Sequence, residues 1–361
     1  MYYNKAVYAL KNGCLFGKNT VKNRLMIKAE MKNIWVKSPE DRSVKMKVLI
    51  DILLLLAGFA ALLKGADLLV DGAVGFARKF RIPTLVIGMT IVAFGTSAPE
   101  AAVSITAAFQ GNNAISVSNV IGSNLFNLLV VGGVCAMLRP LPIKTVAVNR
   151  DYPFHLLITA ALLILCLDTV LGGERNMMLS RGDGLILLLF MGIFMYINIK
   201  DGMNGDEQEP AAVFSFWKSL LLFLVGIAGV VVGGKLVVSS STSLARMMGV
   251  SDTLIGLTIV AMGTSLPELV TSAVACRKGE VDLAWGNIVG SNVFNILFVL
   301  GLSALLHPIA IDVLSVYDMI ILLGVGTAVY LATAPGKKIN RPLGGSMLAV
   351  YLLYTVYIIL R

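Results

Sequence analysis

The stretch "GMTIVAFGTSAPE", Gly88–Glu100, returns 168 residues later as "GLTIVAMGTSLPE", Gly256–Glu268, changed at only three of thirteen positions. Each copy sets a carboxylate directly after a proline, inside a run apolar enough to lie in a membrane. A carboxylate near the bilayer centre costs at least about 2.5 kcal/mol. The same shift aligns "NVIGSNLFN" (119–127) with "NIVGSNVFN" (287–295). It also matches Gly65 with Gly233, Ala77-Arg78 with Ala245-Arg246 and Pro140 with Pro308. The chain is therefore a duplication. Looser similarity links "MYINIK" (195–200) to "VYIILR" (356–361).

The 361 residues are 57% hydrophobic and 14% charged, where a soluble domain carries about 25% charged residues. Ten apolar runs are candidate spans: 48–78, 84–109, 114–138, 153–168, 183–199, 214–246, 252–276, 282–306, 315–333 and 343–360. Most approach the roughly 20 residues that cross a bilayer core, and the fourth is short. From the second span to the seventh is an odd number of crossings, so the two motif copies run in opposite directions. The expectation is an all-α membrane protein of ten transmembrane helices arranged as two inverted five-helix repeats. Inverted repeats broken at matching positions are the architecture of secondary transporters. The halves fall at 48–200 and 214–361, joined by a short acidic linker at 201–213.

The net charge of +9 is concentrated at one end. Residues 1–47 form a basic polar leader with eleven Lys/Arg against Glu30, Glu40 and Asp41, and the rest is close to neutral. That leader lacks the apolar core of a signal peptide. Thirteen Lys/Arg lie in loops on the side reached after the first span, and four on the opposite side and C-terminus. The first set is expected in the cytoplasm, which would leave the leader outside, against the same rule. Translation from Met46 would remove it, and residues 1–45 are expected to lie outside the functional protein. The charge does not imply nucleic-acid binding. The cysteines lack CxxC spacing and the two histidines form no HExxH pattern, so zinc chemistry is not expected.

Pro99 and Pro267 lack an N–H and free a carbonyl one turn earlier. Gly95 and Gly263 are expected to permit unwinding there. Asn119, Ser123 and Asn127 follow i, i+4, i+8 on one helix face, and Asn287, Ser291 and Asn295 repeat it. Such stripes serve equally as helix glue or as ligands. The two halves together supply carboxylate, hydroxyl, amide and carbonyl oxygen with no sulfur or imidazole, which suits a hard cation such as calcium. Lys64 and Lys235 are the alternative partners for the glutamates. No nucleophile elbow or phosphate loop is present, so an enzyme is not expected.

The paired GTSxPE and GSNxFN segments resemble the repeats of the cation/calcium exchanger superfamily, in particular the prokaryotic sodium/calcium exchangers, over residues 48–361. The resemblance implies an antiporter of a prokaryotic inner membrane, working as a monomer in lipid, with sodium and calcium as transported ions and no cofactor. It places calcium between Glu100 and Glu268 with backbone oxygen from Thr96 and Thr264. Sodium would meet Ser97, Ser265, Ser123 and Ser291 with the carbonyls of Ala93 and Ala261. The first and sixth helices would slide past this core. Some relatives carry aspartate at one of the positions held here by Asn127 and Asn295. That departure argues against potassium involvement and keeps a proton/calcium antiporter as the alternative.

Overall fold

The computed structural model describes residues 39–167, 177–203, 214–250, 259 and 261–360. The chain divides into two units, residues 1–52 and 53–361. The described part of the first is only the beginning of helix α1 (Pro39–Phe80); everything below concerns the second.

Helix α2 (Thr84–Thr96) contains a π-helical turn at Gly88–Val92, and is followed by α3 (Ala98–Phe109) after a 49° bend. Next come α4 (Asn113–Phe126), a π-helical turn at Asn127–Val131, and α5 (Gly132–Leu138). The first half closes with α6 (Tyr152–Leu165) and α7 (Arg181–Met203). The second half opens with α8 (Phe216–Met247) and the short α9 (Ala261–Gly263), then α10 (Leu266–Lys278) and α11 (Val281–Phe294). A π-helical turn at Asn295–Leu300 leads to α12 (Gly301–Leu306), α13 (Val313–Thr333) and α14 (Arg341–Leu360).

Local chemistry explains several ends. Pro99 and Pro267 sit in the first turns of α3 and α10, where a missing N–H costs nothing. Asp312 caps α13 by accepting the Ser315 N–H at 2.7 Å. At the end of α10, Gly279 adopts a left-handed φ of 88°. Its N–H reaches the Cys276 carbonyl and that of Glu280 reaches Ala275, a Schellman turn that needs glycine.

Among the described residues, seven helices are long and apolar enough to span a membrane, and an eighth span counts if the bent pair α2–α3 is one. The expected fourth span begins earlier than drawn, because α6 follows directly on a π-helical turn at Ala147–Asp151, and its expected last residue, 168, lies outside the described residues. Most of the start of the expected seventh span, 251–258, lies outside the described residues. The linker begins later than expected, because α7 continues through Met203.

The α4 and α11 spans are mostly buried, whereas α7 and α14 leave large side chains such as Leu189, Tyr196 and Leu353 exposed on their outer faces. Close approach is made by glycine. A Cβ on Gly65 would stand 2.6 Å from the Val230 nitrogen, and one on Gly226 would stand 2.4 Å from that of Leu69. Since Gly72 likewise faces Phe223, α1 and α8 run antiparallel along this seam. Such contacts gain van der Waals packing where lipid supplies no hydrophobic drive.

The halves interlock at their ends. Gly184 of α7 packs on Gly301 of α12, and Gly344 of α14 packs on Gly133 and Ala136 of α5. Two minimal antiparallel ladders join loops in the same crossed manner. Leu141–Pro142 pairs with Lys338–Ile339, and Met178–Leu179 with Ile309–Ala310.

Candidate functional site

Gly88 on α2 and Gly286 on α11 bring two backbones into contact. A Cβ on Gly88 would lie 2.5 Å from the Leu283 oxygen, and one on Gly286 would lie 2.5 Å from that of Leu85. This crossing carries the end of the first motif onto the polar face of α11. Thr96 Oγ1 donates to Asn287 Oδ1 at 3.1 Å and lies 3.4 Å from Ser291 Oγ.

The chain then breaks at Ser97 (φ −80°, ψ 4°), with the matching break at Ser265 (φ −92°, ψ 6°). The expectation that Gly95 and Gly263 unwind the helix is corrected. Neither has a positive φ, and a Cβ on either would strike Ile227 or Val238 of α8. These glycines admit a neighbouring helix, and the serine supplies the break.

At the breaks the two halves exchange partners. Ser97 Oγ donates to Glu268 Oε1 at 3.1 Å, and Ser265 Oγ to Glu100 Oε1 at 2.9 Å. Ser123 Oγ stands 3.2 Å from the same Glu100 oxygen and 2.8 Å from Ser265 Oγ. Asn295 Nδ2 donates to Ser123 Oγ and to Asn124 Oδ1, both at 3.1 Å. Glu100 and Glu268 are fully buried, and the Oε2 of each has no hydrogen-bond partner. Both side-chain polar atoms of Asn127 and the Oδ1 of Asn295 are also buried and unpartnered.

No lysine or arginine pairs with either glutamate among the described residues. Lys64, expected as an alternative partner, is instead 2.8 Å from Asp67, and Lys235 is exposed. The structure thus concentrates carboxylate, hydroxyl and amide oxygen with no compensating positive charge among the described residues. Buried carboxylates in that state call for a cation or a proton.

Of the expected site residues, Glu100, Ser265, Ser123 and Asn295 are joined by these bonds, Ser97 joins Glu268, and Thr96 stands beside Ser291. Asn127 is buried at the start of the π-helical turn. Thr264 is half-buried, and its hydroxyl reaches Asn119 Oδ1 at 3.5 Å. The Ala93 carbonyl accepts the Ser97 N–H at 3.0 Å and the Thr96 hydroxyl at 3.3 Å. Ala261 opens the short α9, and residue 260 just before it lies outside the described residues.

Two further asparagines belong to the site's frame. Asn124 and Asn292 sit within the repeated GSN segments and bond across the halves. The outer stripe members Asn119 and Asn287 are anchored by Ser104 and Ser272, each at 2.9 Å. The duplicated GSN was the available signal for the first pair.

Comparison with known proteins is consistent along nearly the whole described chain. The family described as "Sodium/calcium exchanger protein" matches residues 50–200 and 218–360. Sodium/calcium exchanger MaX1 of Methanosarcina acetivorans is 30% identical, covering 86% of this chain and 98% of its own. Inner membrane protein YrbG of Escherichia coli is 33% identical over 83% of this chain and 96% of its own. Among solved structures, the sodium-calcium exchanger NCX_Mj soaked with Na+ and Sr2+ superposes with a TM-score of 0.75. It is 30% identical, and the match covers 85% of this chain and 98% of that one.

Proposed function

The chain belongs to the sodium/calcium exchanger family, and on that premise we propose that it exchanges sodium for calcium across a membrane by alternating access. It is a multi-pass membrane transporter and not an enzyme. The reading takes the fold as ten helices in two inverted repeats, 48–200 and 214–361, working as a monomer, with the lysine-rich loops in the cytoplasm.

One observation carries it. Glu100 and Glu268, at the same place in each repeat, meet in one fully buried site, and each keeps an oxygen without a partner. Two carboxylates balance one divalent ion. The surrounding Ser97, Ser123, Ser265, Ser291, Thr96, Thr264, Asn127 and Asn295, with the carbonyls of Ala93 and Ala261, offer the oxygen that calcium or sodium takes in place of water. Because sodium and calcium would share the glutamates, occupancy by one excludes the other, and exchange follows from competition. Calcium would leave the cell against an entering excess of sodium.

A proton/calcium antiporter is the second reading, because Asn127 and Asn295 add no carboxylate beyond the two glutamates. Calcium flux in proteoliposomes under separately imposed sodium and pH gradients separates the two. Flux driven by sodium at equal pH supports the first reading, and flux driven by pH alone overturns it.

A further inference from the structure

The two helix-ending turns that flank the site are built alike but charged differently. In the first repeat the turn is Gln110-Gly111-Asn112, with Gly111 at φ 71° and the Asn112 N–H on the Ala107 carbonyl. In the second it is Lys278-Gly279-Glu280, with Gly279 at φ 88° and the Glu280 N–H on the Ala275 carbonyl. Among the described residues, only the second turn carries charged side chains that grip a long helix. Lys278 Nζ lies 2.6 Å from an Asp67 carboxylate oxygen, 2.7 Å from Asp71 Oδ1 and 3.0 Å from the Asp67 carbonyl, all on α1. Arg78 of α1 adds a contact to Glu280 at 3.4 Å. Lys64, beside Asp67, completes the cluster.

The 168-residue shift carries Asp67 to Lys235, Asp71 to Ser239, Lys278 to Gln110 and Glu280 to Asn112. On the opposite face the lysine thus stands on the long helix itself, and the turn offers no charge to meet it. Inverted repeats that exchange conformations would otherwise weight the two faces equally.

We propose that Lys278, with Asp67 and Asp71, is a one-sided latch that holds α1 to the α10–α11 turn, so that the resting transporter is shut on the Lys278 face and opens first on the other. Lys278 is a positioning residue here: it touches no transported ion and acts through α1. The inference rests on the alternating-access reading above, in which the Lys278 face is cytoplasmic. Ions arriving on that face must then wait for a minor conformation, which raises their half-saturating concentration by the inverse of its population.

The test reads conformation without ions. Val74 lines the hollow of about 290 Å³ between the two ion pairs, and Thr242 is its counterpart in the second repeat. In full-length protein whose native cysteines are replaced, Val74→Cys or Thr242→Cys is labelled in proteoliposomes with an impermeant maleimide on each face. Lys278→Gln, or Asp67→Asn with Asp71→Asn, should raise labelling at position 74 by roughly three- to tenfold, the range of one or two partly exposed ion pairs. Lys278→Arg should restore the low rate. Gln110→Lys with Lys235→Asp and Ser239→Asp, which builds the missing latch, should slow labelling at position 242. Unchanged labelling at 74 in folded Lys278→Gln protein overturns the latch. If that variant does not fold, unchanged labelling at 242 in the built-latch protein does so. Absence of calcium flux from the unaltered protein would defeat the exchanger reading while leaving these labelling rates to decide the latch.

Discussion

Asn124 and Asn292, one repeat length apart, exchange the same hydrogen bond in both directions. Each side-chain amide donates to the other's main-chain carbonyl at 3.2 Å. The exchange lies just before the helices carrying Ser123 and Ser291 loosen into π-helical turns. It fixes the spacing of the two ion-facing helices from within the core. The pair is not equivalent beyond that bond: Asn124 Oδ1 also accepts from Asn295, whereas Asn292 Oδ1 has no partner. Each buried group left unsatisfied costs about 1–3 kcal/mol. Asn124→Ala should therefore lower the thermal unfolding midpoint in detergent more than Asn292→Ala. The reverse ranking would mean that the bond to Asn295 contributes nothing.

Glu100→Gln and Glu268→Gln should each abolish calcium transport, because each removes half of the neutralising charge from a near-isosteric side chain. Purified variants should also lose the rise in thermal midpoint that calcium gives the unaltered protein, as expected for a ligand that binds only the folded state. Calcium uptake like that of the unaltered protein in either variant would remove these glutamates from the site.

Ser123→Ala and Ser291→Ala should weaken sodium dependence more than calcium binding, and by different amounts. Ser123 contacts Glu100, Ser265 and Asn295 at 2.8–3.2 Å, whereas the contact of Ser291 with Thr96 is longer, at 3.4 Å. The larger loss is expected at Ser123. Sodium titrations of calcium uptake measure it, and an equal fall in calcium affinity with unchanged sodium dependence would contradict this division.

Helix α8 gives a contrast between two of its glycines, Gly226 on the seam with α1 and Gly234 facing α10. Gly226→Leu would drive side-chain atoms into the Leu69 backbone, and overpacking of this kind typically costs about 1–3 kcal/mol. Gly234→Ala meets only ordinary contacts, at 3.6 Å from Pro267. Size-exclusion profiles in detergent should show Gly226→Leu depleted in monodisperse protein and Gly234→Ala unaffected. Equal profiles would mean that the seam is not close-packed in the membrane.

Transport should carry current. With two carboxylates in the site, one calcium or two sodium ions leave it neutral, and a third sodium adds one positive charge that neither Asn127 nor Asn295 can offset. If three sodium ions enter for each calcium, one charge crosses per cycle and couples to about 2.3 kcal/mol per 100 mV, close to a 50-fold calcium gradient. An inside-negative potential would then drive calcium out. Sodium-driven calcium flux in vesicles clamped with potassium and valinomycin tests this, and indifference to voltage would mean electroneutral exchange.

The glutamates were legible because repetition of a costly residue is itself a signal, and the hydroxyls around them followed from helical spacing. Asn124 and Asn292 were not, although they stand beside the serines. One residue turns about 100° around a helix, onto a face whose partner is a helix from the other half. Spacing within one helix cannot supply that partner. The break was legible, but its residue was not, since Gly95 and Gly263 look like hinges until Ile227 and Val238 fill the space beside them. The short fourth run fell below span length because part of its helix is π-helical and polar at the start. The latch was hidden for a related reason, because Lys278 and Asp67 are more than 200 residues apart.

The crossed ends of the two halves constrain the order in which the protein can be made. Gly184 of α7 emerges from the ribosome 301 − 184 = 117 residues before Gly301, the residue against which it packs. The α5 surface around Gly133 waits for Gly344 near the end of synthesis, and the ladders of Leu141–Pro142 and Met178–Leu179 also wait for strands from the second half. A nascent first half is therefore inserted in lipid but unfinished, with its backbone-contact grooves still open. Because those grooves are cut to the second half, separately synthesised fragments divided in the 204–213 segment should find each other in the same membrane.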